Sequence, residues 1–452
     1  MIYDIMKITG WRRVVLVVLA LALPCLGRAA DGVEGQLEVA HRRLVEEFLR
    51  PEGLLCDYVG EIPTPKDCAE GRPNAIGWWS PIENGPMFTG PYLAACVERA
   101  RRLRGTPEGE RAKAECAKMA SGLIRAASVS DVTGMIVRGF GTDGKCHYPL
   151  GSTDQTLPWF YGLHAYWRSE LPSSAEKTAI RAKMLEVAGA LERNGWQCPC
   201  DGRFKGENRG SFRTEGKLYF RVATHGLYLF AAMYEVSGDA HWRDLYVRFR
   251  DGRIKNSELT GAAACEAGWC HDAKAFPAEG DGMWIYVCAQ GCLKDLVRME
   301  PDAVVQARYR RGLVYNAERA RRFLAKAKAY DNRTERPFKY ANWRTGYAWR
   351  DQLTQTAAGQ VAGSGNRKIL GTRKGYERGH VTTPLSAAAV CAFAGIGQED
   401  VANAIAHYDF REISICEFFL AEVASRARFS SATARGFAIA REGCLGGLQR
   451  GS

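Results

Sequence analysis

Beyond its N-terminal segment, the sequence has no apolar run long enough to cross a lipid bilayer, which argues against membrane insertion of the mature chain. It also lacks a glycine-rich phosphate loop, a dinucleotide-binding fingerprint and the Gly-x-Ser-x-Gly motif of many hydrolases. Its basic residues are scattered rather than clustered, so the pattern also argues against nucleic acid as a partner. The remaining clues are the N-terminus, the cysteines and a strong helical pattern.

Residues 1–29 have the pattern of a cleaved secretory signal. Lys7, Arg12 and Arg13 form a basic start, residues 14–26 are apolar, and Gly27-Arg28-Ala29 places small residues before the cleavage site. An uncleaved anchor is the alternative, but the apolar run is shorter than a membrane span. The sequence therefore predicts a secreted or periplasmic protein with a single domain over residues 30–452.

The mature chain is basic. Removal of the signal lowers the formal net charge from +12 to +9, because the signal contains four basic residues and one acidic residue. A basic secreted protein suits an acidic glycan as a partner, although scattered charges serve solubility equally well.

Fifteen cysteines are present, and all but Cys25 lie beyond the signal. An even number of cysteines in an oxidising compartment predicts disulfide bonds, whose pairing stays open. Cys198 and Cys200 are too close in the chain for a relaxed mutual bridge, so each is expected to pair elsewhere. Only Cys270-His271 approaches the spacing of zinc ligands, and we therefore expect neither a metal nor another cofactor.

Apolar residues at helical spacing predict five pairs of helices, preceded by a helix over residues 33–49. The first helix of each pair is apolar on most sides and the second carries a charged stripe, which indicates inner helices wrapped by outer ones. The predicted pairs are 88–103 with 108–127, 153–170 with 174–193, 218–236 with 240–249, 282–299 with 302–327, and 384–394 with 399–424. Long loops connect outer helices to the next inner helix, and functional sites usually lie on such loops.

Over roughly residues 33–424 the chain resembles the six-hairpin glycosidases and their relatives. The resemblance rests on the succession of helix pairs and on the segments 77–90, 151–162 and 218–234. The group includes unsaturated uronyl hydrolases, endoglucanases, sugar epimerases and the toroid domains of polysaccharide lyases. The resemblance implies an all-α fold, an (α/α)6 toroid of helical hairpins with long loops on one face, and a carbohydrate substrate. Two features of the sequence depart from the pattern of an (α/α)6 toroid: the fifth hairpin is poorly defined, and a long segment follows Ala329.

Glycosidic bond cleavage requires one protonated carboxyl and one ionised carboxylate. Glu83 and Asp154 are the predicted catalytic pair, because each lies where a loop enters an inner helix. Glu83 lies near Trp78 and Trp79, apolar surroundings that raise the pKa of an acid, whereas Asp154 has polar neighbours. The structural alternatives are an ion pair for Glu83 and a helix N-cap for Asp154.

Polar groups and aromatic rings near the starts of the inner helices predict sugar contacts. Aromatic rings pack against the C–H faces of sugars, and polar groups fix the sugar's orientation. The predicted substrate-binding residues are Trp78, Trp79, Asn84, Arg138, Asp143, His147, Tyr148, Gln155, Trp159, His225 and Trp284. Core filling is the alternative for the aromatic residues and for His225, and turn formation is the alternative for Asp143. Asp143 and Asp281 are reserve carboxylates.

The sequence thus predicts a glycoside hydrolase that acts on an oligo- or polysaccharide, with an acidic glycan as one option. One alternative is a polysaccharide lyase, in which a basic cleft neutralises a uronate while Tyr148, His147 or His225 moves the proton. The other alternative is a noncatalytic glycan-binding protein. An absorbing unsaturated uronide product would identify the lyase, and binding without turnover would identify the binding protein.

Overall fold

The computed structural model describes residues 32–72, 80–212, 220–253, 259–269, 284–333, 335–336, 344, 352–358 and 372–428. The predicted signal peptide lies outside these residues. The described chain is mostly helical, which confirms the all-α class. The only strands in these ranges are β1 (Gln197–Pro199) and β2 (Asn208–Ser211), which form a short antiparallel ribbon.

Four of the five predicted helix pairs are present with ends shifted by at most six residues, and in the fifth pair only the first helix has the predicted length. The chain begins with α1 (32–43), which continues as a π-helical turn over Leu44–Phe48, and the short helix α2 (Pro65–Ala69) follows. The first three pairs are α3 (Gly85–Arg102) with α4 (Pro107–Ala126), α5 (Thr153–Arg168) with α6 (Ser174–Arg193), and α7 (Phe220–Ser237) with α8 (Ala240–Asp251). After α9 (Gly261–Ala267) come α10 (Trp284–Met299) with α11 (Ala303–Arg321), then α12 (Arg373–Glu377), and then α13 (Thr383–Ala394) with α14 (Gln398–Ala406).

The prediction of one continuous helix over residues 399–424 is wrong. Helix α14 ends at Ala406, the chain then makes 3-10 turns at Phe410–Glu412 and Cys416–Phe419, and a separate helix α15 (Leu420–Arg428) follows.

Tertiary hydrogen bonds explain this break. The Asn332 side-chain amide donates to the His407 carbonyl at 3.2 Å and its oxygen accepts the Asp409 N–H at 2.7 Å. Further along, the Cys416 N–H donates to the Asp57 carbonyl at 2.9 Å. These partners lie far away in the chain, so periodicity within residues 399–424 could not predict the break.

Side-chain caps set the starts of several helices. Ser152 caps α5 by accepting the Asp154 N–H at 3.1 Å, and Thr106 caps α4 by accepting the Gly109 N–H at 3.1 Å. Asp154 is therefore not the N-cap of α5 but a residue of its first turn, where its side chain is available for other contacts.

Six apolar helices contact one another in the middle of the fold. Helix α3 contacts α5 and α15, α7 contacts α5 and α10, and α13 contacts α10 and α15. Every residue of α13 is buried. Helices α3 and α5 approach closely at two glycines, because a Cβ atom on Gly90 would lie 1.9 Å from the Pro158 carbonyl oxygen and one on Gly162 would lie 2.6 Å from the Gly90 Cα.

The twelve cysteines within the described ranges are free thiols. Three thiol pairs in these ranges are close enough to hydrogen bond: Cys68 with Cys146, Cys96 with Cys116, and Cys288 with Cys292. Disulfide formation therefore stays a prediction. Among the helices that can be described, none is both long and apolar enough to cross a membrane.

Candidate functional site

A pocket lies between the N-terminal parts of α3, α5 and α10, the second turn of α7 and the turn before α15, and its empty volume, including the open solvent at its mouth, is about 490 Å³. Apolar side chains, among them Met87, Phe88, Phe419 and Leu420, form much of its wall. Three ionisable side chains also line it: Asp154, His225 and Glu417. A mostly apolar pocket with a few convergent polar groups is the usual form of a small-ligand or substrate site.

Asp154 lies in the first turn of α5. Its side chain is 38% exposed, and its Oδ1 lies 3.2 Å from Nη1 of Arg221 on α7. The structure thus places an accessible, ion-paired carboxylate at the pocket, in the first turn of α5.

Glu417 lies in the 3-10 turn before α15 and is 2% exposed. Its Oε2 has no hydrogen-bond partner in the described part of the protein. Burial and the nearby charge of Asp57 raise the pKa of Glu417 well above its ordinary value, so the carboxyl favours its protonated form. Sequence reasoning missed this residue, because it placed Glu417 on an outer helix. The available signal was a single acid in the apolar run Ile-Cys-Glu-Phe-Phe-Leu.

His225 lies in the second turn of α7, on the face that lines the pocket, and is 7% exposed. Its Nε2 has no hydrogen-bond partner among the residues described. Burial and the charge of Arg221 lower the pKa of His225 well below its ordinary value, so the ring is neutral at pH 7. The alternative of a fully hydrogen-bonded core histidine does not fit His225 within the described part of the chain, because Nε2 faces the pocket without a partner there.

Glu83 is not among the residues that line the pocket. It is 2% exposed, and its backbone N–H donates to Oδ1 of Asp57 at 3.1 Å. Asp57, which sequence reasoning also missed, is fully buried. Burial and the charge of Glu83 raise the pKa of Asp57 to about 8, although hydrogen bonds from Asn84 lower it. The geometry thus places Glu83 in a buried charge cluster behind the pocket.

Two cations belong to this cluster. Burial lowers the pKa of Lys374, and the charges of Glu83 and Asp57 raise it. Burial has the larger effect, and the resulting pKa of Lys374 is about 8. Arg138 is buried, and its Nη1 donates to the Glu83 carbonyl at 3.4 Å. Burial and the charge of Arg209 lower the pKa of Arg138 to about 10, so Arg138 remains a cation at neutral pH.

Asn84 and Gln155 are buried and bond to each other, with Nε2 of Gln155 donating to Oδ1 of Asn84 at 3.2 Å. Oε1 of Gln155 also accepts the Met87 N–H at 3.2 Å. These bonds join the loop before α3 to the start of α5. Their predicted role in sugar binding is corrected to one of positioning, because their hydrogen-bonding groups are used within the protein.

The predictions of sugar contacts for Trp159 and Tyr148 are wrong, because both side chains are fully buried in the core. The indole N–H of Trp159 donates to the Leu123 carbonyl at 2.6 Å, and the Tyr148 hydroxyl bonds to Oγ of Ser80 at 3.1 Å. The alternative for aromatic residues, core filling, is correct for these two.

Asp143 and His147 also have structural partners, and neither lines the pocket. Asp143 is exposed and accepts the N–H groups of Lys145 and Cys146, both at 2.9 Å, so it stabilises a turn. Nε2 of His147 lies 2.7 Å from Oδ2 of Asp201. Burial lowers the pKa of His147, but the hydrogen bond and charge of Asp201 outweigh burial and raise it.

Four residues named from the sequence cannot be placed. Trp78, Trp79 and Asp281 lie outside the described residues, as does the side chain of Trp284, whose backbone begins α10. The Cys270-His271 pair also lies outside them.

Comparisons of the chain with protein-family models, curated proteins and solved structures found no match.

Proposed function

We propose that the protein is a secreted glycoside hydrolase built on an (α/α)6 toroid. The order of contacts among α3, α5, α7, α10, α13 and α15 supports an inner ring, since each of these helices contacts the next and α15 returns to α3. Helices α4, α8, α11 and α14 each contact the helix they follow, which suits an outer layer.

One observation carries the proposed activity: two carboxyl groups in unlike environments line the same pocket. Glu417 is buried without a hydrogen-bond partner for Oε2 within the described chain, whereas Asp154 is accessible and ion-paired with Arg221. Unlike environments separate the acid and base roles of two carboxyls, as glycosidic cleavage requires.

In the proposed mechanism Glu417 donates its proton to the glycosidic oxygen as the bond to the leaving sugar breaks. Asp154 acts from the other side of the sugar, either as the nucleophile or as the base that activates water. The apolar wall around Phe88 and Phe419 gives the sugar a surface for its C–H faces and excludes water from Glu417. Glu83, the acid predicted from sequence, remains the alternative proton donor.

The test uses the purified protein with a panel of neutral and acidic polysaccharides, and release of reducing ends is measured. Glu417→Gln and Asp154→Asn should each lower kcat by about 10²- to 10⁴-fold, the usual contribution of a general acid or base. Glu83→Gln should lower kcat less than Glu417→Gln, because its side chain does not line the pocket. Asp131→Asn, an exposed residue paired with Lys205, is the control.

Far-UV circular dichroism of each variant checks that loss of activity does not reflect loss of fold. Wild-type activity in both Glu417→Gln and Asp154→Asn would refute the assignment. A larger loss in Glu83→Gln than in Glu417→Gln would restore Glu83 as the acid.

Nε2 of His225, which has no hydrogen-bond partner in the part of the chain that the structure describes, favours a second candidate, a polysaccharide lyase. A neutral imidazole that faces the pocket can accept the proton next to the carboxylate of a uronic acid. Cleavage would then give an unsaturated uronide that absorbs in the ultraviolet, and His225→Gln would abolish it. Reducing ends without this absorbance exclude the lyase, and glycan binding without turnover would indicate a noncatalytic protein.

A further inference from the structure

Three potential metal ligands from three different helices converge away from the pocket. They are His41 of α1, Cys96 of α3 and Glu115 of α4, and their ligand atoms all lie within 4.8 Å of one another. No other group of this kind occurs in the described ranges. His41 and Cys96 are buried, the Glu115 side chain is 16% exposed, and none of the three lines the pocket.

The distances among these atoms suit a tetrahedral ion. With bonds of about 2.0 Å to nitrogen or oxygen and about 2.3 Å to sulfur, two ligand atoms of a tetrahedral zinc site lie roughly 3.3–3.8 Å apart. Nε2 of His41 lies 3.1 Å from Oε2 of Glu115, and Sγ of Cys96 lies 3.9 Å from the same oxygen. These two separations lie within a few tenths of an ångström of the tetrahedral values, and the third, between the ligand atoms of His41 and Cys96, is at most 4.8 Å.

Neighbouring side chains contact two of these three groups, His41 and Cys96, in ways that suit metal binding. The Tyr92 hydroxyl lies 2.7 Å from Nδ1 of His41. When Nδ1 carries the ring proton and donates it to the Tyr92 oxygen, the lone pair on Nε2 is free for a metal. Cys116, the residue after Glu115 on α4, hydrogen bonds through its thiol to the thiol of Cys96. Cys116 is therefore a candidate for a fourth ligand, and its thiol, which lies outside the group of three, must move to reach the ion.

We propose that His41, Cys96, Glu115 and Cys116 form a structural zinc site that joins α1 to the first helix pair. Two thiolates, one imidazole and one carboxylate are a ligand set that zinc accepts, and four protein ligands leave no position for substrate. On binding, each coordinating thiol loses its proton to solvent, so metal binding releases protons. The ion thereby ties three helices together without taking part in the chemistry of the pocket.

The test uses the full-length chain, purified with its thiols reduced, stripped with a chelator and titrated with Zn²⁺ or Co²⁺. We expect one equivalent of zinc per chain by elemental analysis, a sulfur-to-cobalt charge-transfer absorption with Co²⁺, and a higher melting temperature with zinc. Cys96→Ser should weaken zinc binding at least about 100-fold, and Tyr92→Phe, which removes the partner of Nδ1, should weaken it about 10- to 100-fold.

Cys391→Ser is the matched control, because Cys391 is equally buried but bonds to the Ala317 carbonyl on another part of the fold. It should bind zinc as the wild type does. Stoichiometry well below one, or equal affinity in Cys96→Ser and Cys391→Ser, would overturn the site. So would a disulfide between Cys96 and Cys116 in peptides from protein isolated with its thiols blocked. Unchanged affinity in Cys116→Ser would remove Cys116 from the ligand set.

Discussion

The carboxylate of Asp57 accepts two hydrogen bonds from Asn84, one from the backbone N–H at 2.9 Å and one from the side-chain amide at 2.6 Å. A third comes from the Glu83 N–H at 3.1 Å. These bonds hold the loop that leads into α3. Asp57 is fully buried, and its burial together with the charge of Glu83 raises the pKa of Asp57 to about 8.

This raised pKa predicts a specific pH dependence of stability. The folded protein holds a proton on Asp57 that the unfolded chain loses near pH 4, so the stabilisation is complete below about pH 4 and is lost as pH rises towards 8. Asp57→Asn cannot titrate. From pH 5 to pH 8 the free energy of unfolding of the wild type should fall, and that of Asp57→Asn should fall less. The difference between the two falls should be at least about 1 kcal/mol, the equivalent of one pKa unit. Urea unfolding at both pH values measures this, with Asp131→Asn as the control, and equal slopes in all three proteins would contradict it.

Gly90 should tolerate no side chain. A Cβ atom there would lie 1.9 Å from the Pro158 carbonyl oxygen, so Gly90→Ala must push α3 and α5 apart at a cost of about 1–3 kcal/mol or more. Gly189→Ala is the matched control, because its Cβ would meet only the flexible end of Arg193 at 3.3 Å and alanine favours a helix. Chemical denaturation should show the first variant destabilised and the second unchanged or stabilised. Equal stability of the two variants would argue against the close approach of α3 and α5.

Trp159 should act on stability and not directly on sugar binding. Trp159→Phe removes part of a fully buried ring and leaves the Leu123 carbonyl without its donor, which should cost about 1–3 kcal/mol. The free energy of unfolding measures this loss, and the affinity of the folded variant for glycan should match the wild type. A stable variant with weakened glycan binding would instead support the original prediction of a sugar contact.

Arg99 and Glu422 form a buried ion pair between α3 and α15, with Nη1 and Oε1 3.3 Å apart. Arg99→Met removes the cation beside a fully buried carboxylate and should destabilise the protein by about 3–5 kcal/mol. The double variant Arg99→Met/Glu422→Gln should recover part of this loss, since no buried charge then lacks its counterion. Arg111→Met, at an exposed pair with Glu108, is the control and should unfold like the wild type. A double variant less stable than Arg99→Met would count against the pair.

Some features of the site were predictable because they depend on neighbours in the chain. The pattern of Ser152, Asp154 and the apolar residues that follow marks the start of α5, and helical spacing places His225 on a largely buried helix. The turn around Asp143 follows from the local preference of aspartate for turns. Glu417 was missed because the hydrogen bonds that break the predicted helix come from Asn332 and Asp57, which are remote in sequence.

Periodicity and capping in the sequence were enough to predict the helices and their approximate ends, except over residues 399–424, since a helix is held by bonds between residues a few positions apart. Only the tertiary packing determines which acidic side chains are buried. Asp57 and Glu417 carry ordinary carboxyl groups, and their burial beside each other, like the core position of Trp159, arises only when distant segments meet. Solvent exclusion is a property of the whole assembly of helices, and so no local pattern encodes it.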